Sequence, residues 1–129
     1  MRKTLVTAAL LAAFLPFAST AMAAKTAPGQ TQKGIASYYH DSLHGNKTAS
    51  GQVYNKNRLS AAHKTLPLGS KVKVTDTNTG RSIVVKVNDR GPFVKGRIID
   101  LSRAAARKLG IVKRGIARVE VKVLSTPRG

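Results

Sequence analysis

The sequence has 129 residues, of which 23 are Lys or Arg and only five are Asp or Glu; its formal net charge is +18 and it has no cysteine. This length allows one modest domain, and the missing thiols exclude disulfide staples and Cys-based metal sites. The charge implies either a polyanionic neighbour or a solubilising surface, and does not by itself choose between them.

Residues 1–23 begin with Arg2 and Lys3, continue through an apolar run from Leu5 to Phe17 and end in Ala21-Met22-Ala23. A charged head, a short apolar core and an A-x-A end form the pattern of a cleavable secretory signal peptide. The run is shorter than the roughly 20 residues a membrane span needs, and Pro16 interrupts it. The expected location is therefore periplasmic or secreted. With no cysteine at the cleavage site, no lipid anchor is expected, and no later segment is apolar and long enough to span a membrane. Export places nucleic acid low among the polyanions this chain would meet.

Residues 24–33, "AKTAPGQTQK", read as a flexible leader. "GIASYY" from Gly34 reads as a strand that enters a turn-rich polar loop, "HDSLHGNKTASGQVYNKN". "KVKVTD" (71–76) alternates, "DTNTGR" reads as a hairpin turn, and "SIVVKVND" (82–89) follows as a half-buried strand. "SRAAARKLG" predicts a short helix capped by Ser102 and ended by Gly110. "ARVEVKV" (117–123) alternates again, with Glu120 between Arg118 and Lys122 on the solvated face as charge balance. Short alternating strands with glycine-rich turns indicate a mainly β fold, a small barrel or sandwich, with a barrel domain expected over 34–124 and a tail over 125–129.

The segments "ASYY", "HGNKTASGQVYN", "LSAAHKTLPLG" and "VNDRGPFVKGRIIDLSRAAARKLGI" follow one another as they do in one family of bacterial cell-wall proteins. The chain resembles the rare lipoprotein A family from about Gly34 to Leu124. That resemblance implies a six-stranded double-psi β-barrel with one or two short helices. It also implies lytic transglycosylase activity on peptidoglycan glycan strands, with a preference for strands free of stem peptides. Where the family's stretch carries carboxylates, this sequence has Gln52 and Asn55, amides that cannot donate or accept the catalytic proton.

Cleaving a glycosidic bond requires an acid at the leaving oxygen and stabilisation of an oxocarbenium-like centre. In a lytic transglycosylase the muramic acid C6 hydroxyl attacks C1, so one carboxyl can act first as acid and then as base. Asp100, flanked by Ile98, Ile99 and Leu101, is the candidate acid; the other reading makes it a cap on the following helix. Asp89, beside Arg90, is the candidate for positioning or charge stabilisation, against a role in bracing its turn. His63 is the third catalytic candidate, placed in the cleft by the resemblance, with a purely structural role as its counterpart. Gln52, Asn55, Tyr54 and Arg90 are the substrate-binding candidates. Asp76 and Asp41 read as turn and loop residues. His40 and His44 lack a third ligand, so no metal and no cofactor are expected.

Two functions follow from these residues. One is a monomeric lytic transglycosylase acting on glycan strands. The other is a non-catalytic, expansin-like module that grips peptidoglycan through the amides at 52 and 55.

Overall fold

A computed structural model describes residues 27–127; the expected signal peptide lies outside the described residues. Six strands form a closed barrel: β1 (Thr31–Tyr38), β2 (Ser60–His63), β3 (Lys71–Asp76), β4 (Ser82–Asp89), β5 (Arg97–Leu101) and β6 (Ala117–Ser125). One seven-residue helix, α1 (Arg103–Leu109), and a single 3-10 turn at Asp41–Leu43 complete the regular structure among the described residues. Around the barrel the order is β1-β5-β2-β4-β3-β6, with β1 parallel to β5, β2 parallel to β4 and the remaining pairs antiparallel. The closure leaves no free sheet edge.

The alternation read in the sequence sets the barrel wall. Val72, Val74, Ile83, Val85, Val87, Val119, Val121 and Val123 all point inward and are at most 4% exposed. Ile99 and Leu101 join them from β5. Complete burial of each such side chain contributes roughly 1.5–3 kcal/mol. The helix lays Ala105, Ala106 and Leu109 against this core.

Both ends of α1 follow their sequence signals. The Ser102 hydroxyl accepts from the Ala105 amide (3.2 Å) and Gly110 closes the helix at φ 85°, a conformation that disfavours any residue with a Cβ. Ser102 is fully buried and also bonds β2 and the loop before it. Its hydroxyl donates to the Arg58 carbonyl and accepts from the Ser60 amide (3.3 Å). The cap is thus a joint between helix and barrel.

The sheet extends beyond the expected domain at both ends. Thr31–Lys33, assigned to a leader on their polar composition, pair with Glu120, Val121 and Lys122 of β6, and Ser125 pairs with Lys71. These residues supply main-chain hydrogen bonds, which do not depend on apolar side chains. Gly34, within β1, is where the barrel needs a missing side chain. A Cβ there would lie 2.5 Å from Ile98 Cγ2.

Replacing Gly34 by Ala forces Ile98 and its strand to shift and is expected to destabilise the barrel by about 1–3 kcal/mol. Urea unfolding of the two proteins measures this, and a loss near zero would mean that Ile98 can swing aside.

Candidate active site

The two carboxylates of "NDRGPFVKGRIID" meet on the barrel wall because β4 and β5 flank the short strand β2. Ala62 of β2 stands opposite Asp100 on one side and Asp89 on the other, and Ser37 of β1 stands opposite Asp100. Ser37, Asp100, Ala62 and Asp89 therefore form one row across four strands. Two strand spacings put the acid Cα atoms about 10 Å apart.

Asp89 reaches this row only through an irregularity. Ile83, Val85 and Val87 point into the core, so strict alternation would turn Asp89 inward too. The β2–β4 register shifts between Ala61 and Ala62, leaving Asn88 unmatched and setting Asp89 opposite Ala62. A bulge of this kind re-aims a side chain.

The acids differ in their partners. Asp89 Oδ1 accepts from the main-chain amides of Ala49 (2.8 Å) and Arg90 (2.9 Å), and its Oδ2 accepts from the Tyr39 hydroxyl. Asp100 accepts from the Ser37 hydroxyl at Oδ1, and its Oδ2 has no protein partner among the described residues. Both are half-buried. The helix cap belongs to Ser102, so Asp100 does not serve as one.

Above the row lies a loop arm. Gly45 and Asn46 pair with Tyr54, and Thr48 with Gln52, making a small hairpin that leans on the end of β4 through Ser50 and Asn88 (3.2 Å). Its Tyr54 ring stacks on Tyr39, with centroids 4.4 Å apart at 16°, and the pair packs with Ala62. Burial first, then the hydrogen bond and charge of Asp89 and the charge of Asp100, push the Tyr39 hydroxyl well above the usual phenol range. Tyr39 therefore stays a proton donor that feels both acids. Ser37 is the site member that sequence reasoning did not select, and "ASYY" is its only signal. For Tyr39 the sequence leaves sugar-groove lining and core packing equally open, because composition does not separate a site tyrosine from a core one.

The remaining candidates divide. Gln52 and Asn55 line a cleft of about 490 Å³ with Arg58, Lys86 and Asn88; it adjoins Asp89 through Asn88 and stops short of both acids. Gln52 Oε1 accepts from Asn88 Nδ2 (3.3 Å), and Asn55 Oδ1 accepts from its own turn at Asn57 (2.9 Å). Tyr54 is only 2% exposed, and its hydroxyl accepts from the first amide of α1, at Arg103 (3.1 Å). Arg90 turns away from Asp89: its Nη1 donates to the carbonyls of His63 (3.1 Å) and Leu66 (2.7 Å).

His63 is not brought to the acids. Adjacent residues on a strand face opposite ways, and Ala62 holds the acid side. The His63 ring is 4% exposed; Nδ1 accepts from the Thr65 and Leu66 amides (both 3.1 Å), so the proton sits on Nε2 facing Gln32 Oε1 (2.9 Å). Burial, reinforced by the charges of Arg90 and Lys64, lowers its pKa to about 4.

Elsewhere, Asp41 pairs with Arg103 at the surface (3.2 Å). Asp76 both forms the expected turn, accepting from Asn78 N (2.9 Å), and is fully buried against Arg114. Burial opposes the Asp76 charge, but Arg114 and the turn amides outweigh it and hold the carboxyl below its usual range. His40 and His44 each use Nδ1 to accept a loop amide.

The fold and this row define a double-psi barrel with a paired-aspartate site. The sequence matches the lytic transglycolase family over residues 31–121, and the chain belongs to that family. It is 56% identical over 104 residues to the endolytic peptidoglycan transglycosylase RlpA of Pasteurella multocida, covering 81% of this chain and 35% of that protein. It is 51% identical to the protein of the same name from Vibrio cholerae, covering 81% and 40%. The chain thus spans well under half the length of these relatives. The resemblance to the rare lipoprotein A family and the six-stranded double-psi barrel are both borne out. Among solved structures, a Streptomyces papain inhibitor superposes with a TM-score of 0.62 at 29% identity, covering 76% of this chain and 97% of that one. The apo expansin of Clavibacter michiganensis superposes at 0.59 with 26% identity, covering 78% and 53%.

The His63 geometry sets a pH dependence. An unfolded histidine binds a proton below about pH 6.5, whereas folded His63 stays neutral down to about pH 4. Stability is complete above pH 6.5 and is lost as pH falls from 6.5 to 4, by up to about 3 kcal/mol. His63→Gln is expected to flatten the thermal midpoint across that window. An unchanged slope in the variant would assign the acid sensitivity to other groups.

Proposed function

We propose that this protein is a lytic transglycosylase that cuts peptidoglycan glycan strands, preferring strands stripped of stem peptides, and leaves 1,6-anhydromuramic ends. The observation that carries this reading is the row Ser37–Asp100–Ala62–Asp89, which sets two half-buried carboxylates on one face beside a polar cleft. The names of the relatives support it.

Asp100 is the acid. Its Oδ2 is free to approach a substrate, while Ser37 holds Oδ1. Protonated, it delivers the proton to the leaving glycosidic oxygen as the C1–O bond breaks. Asp89, with both oxygens held by donors, is a fixed negative charge beside the developing oxocarbenium centre. The C6 hydroxyl then attacks C1 and the Asp100 carboxylate takes its proton. The enzyme returns to its starting state and no water is consumed. Tyr39 positions Asp89, and Gln52 and Asn55 face the sugar amides and hydroxyls from the cleft. His63 and Arg90 support the 63–66 turn beneath the site. The protein acts as an exported monomer on the cell wall, without metal or cofactor.

The test is mass spectrometry of products from peptide-free strands. Asp100→Asn is expected to lower anhydro-ended product at least about a hundredfold. Asp89→Asn should cause a smaller loss, and Tyr39→Phe, which leaves Asp89 without its hydroxyl partner, a smaller one still. Strands that are bound but left intact by the unaltered protein would instead support the expansin-like module that the amides at 52 and 55 suggest.

A further inference from the structure

The outer face of β4, β3 and β6 is arranged against its own stability. Lys86 of β4 stands directly opposite Lys71 of β3, and Lys73 of β3 directly opposite Lys122 of β6. All four are exposed, and neither ion pair found among the described residues involves them. Like charges directly opposed across a ladder destabilise a sheet. The one acid on this face of β6, Glu120, stands opposite Thr75 and Lys33, one pair further along. Lys86 also lines the cleft beside the acids, with Arg58, Gln52 and Asn55. The cationic strip and the cleft therefore join at one residue.

We propose that this strip, Arg58–Lys86–Lys71–Lys73–Lys122, is a binding track for carboxylates borne directly on a glycan backbone. The proposal rests on the glycan-cleaving reading and names what that site recognises outside the reacting bond. The muramic acid unit carries a lactyl ether whose carboxyl is a neutral amide while a stem peptide is attached. Removing the stem frees one carboxylate per disaccharide, at a fixed position on the strand. Stem carboxylates sit instead at the ends of flexible arms. An outer barrel face with long ammonium-tipped side chains and with Val84 and Leu124 as exposed apolar members suits such a polymer. Single-stranded nucleic acid binds on aromatic stacking platforms, and the strands of this face present no aromatic side chain. The track accounts for lysines that oppose one another, and it makes a preference for stripped strands a matter of charge at the sugar.

The test compares binding to stripped strands and to the same strands with their carboxyls converted to methyl amides, at low and physiological salt. Unaltered protein is expected to bind the free-acid strands roughly tenfold more tightly, with the difference shrinking as salt rises. The triple variant Lys71→Gln, Lys73→Gln, Lys122→Gln should lose that difference. Its thermal midpoint should be equal or higher, because the repulsion has gone, so weaker binding would not reflect misfolding. Equal binding to both strand forms, an unaffected variant, or tighter binding to anionic phospholipid vesicles or duplex DNA would overturn the proposal. Protein that makes anhydro ends yet binds both forms alike would defeat this inference alone. Protein that neither binds nor cuts either form would defeat the glycan reading itself.

Discussion

The site depends on one slipped step in the pairing of β2 with β4. With regular register, Asn88 would face Ala62, and Asp89 would follow Val87 into the apolar core. There its charge would have no partner, and burying an unpaired carboxylate costs several kcal/mol. The shift removes that cost and aligns Asp89 with Asp100 across a residue small enough to leave space between them. Ala62 matters for that reason: the Tyr39–Tyr54 stack packs down onto it. Because that stack is held by the loop arm, the arm, the bulge and the two acids form one mechanical unit.

The surrounding polar groups fix this unit in place, and several serve structure where the sequence had suggested chemistry. Arg90 and His63 show it best. One guanidinium nitrogen binds two carbonyls of the 63–66 turn, and the imidazole Nδ1 binds two of its amides. Together they tie the chain leaving β2 to the end of β4. A histidine with both nitrogens engaged and a pKa near 4 is a rigid polar strut at neutral pH. Tyr54, whose hydroxyl meets the first turn of α1, plays a similar part.

Much of the barrel was legible because its inward positions alternate. Val72/Val74, Ile83/Val85/Val87 and Val119/Val121/Val123 announce period-two strands, and Ser102 and Gly110 bracket the helix. β2 was not legible from its own pattern, since all four residues of "SAAH" are buried and nothing alternates. Barrel closure was equally hidden, because it depends on pairings between distant strands such as β1 with β5 and β2 with β4. The resemblance implies the closure and the number of strands, and does not place a strand at 60–63. In the site, the acids stood out because acids are rare in this chain, whereas the bulge that aims Asp89 leaves no mark in "KVND". The lysine strip was visible only as total charge, since the opposition of Lys71 to Lys86 is a fact of register.

The amides at 52 and 55 now have a physical place. They lie on the arm and in the cleft beside the acid row, with Gln52 bonded to Asn88 and Asn55 to its own turn. Carboxylates at these two positions would add negative charge next to Asp89 and across the cleft from Arg58 and Lys86. That charge would repel an anionic ligand and pair with those two cations. A reaction in which one carboxyl first gives up its proton and then recovers one from the attacking hydroxyl needs no second acid. In this chain the cleft is instead neutral and basic, lined by the two amides together with Arg58 and Lys86.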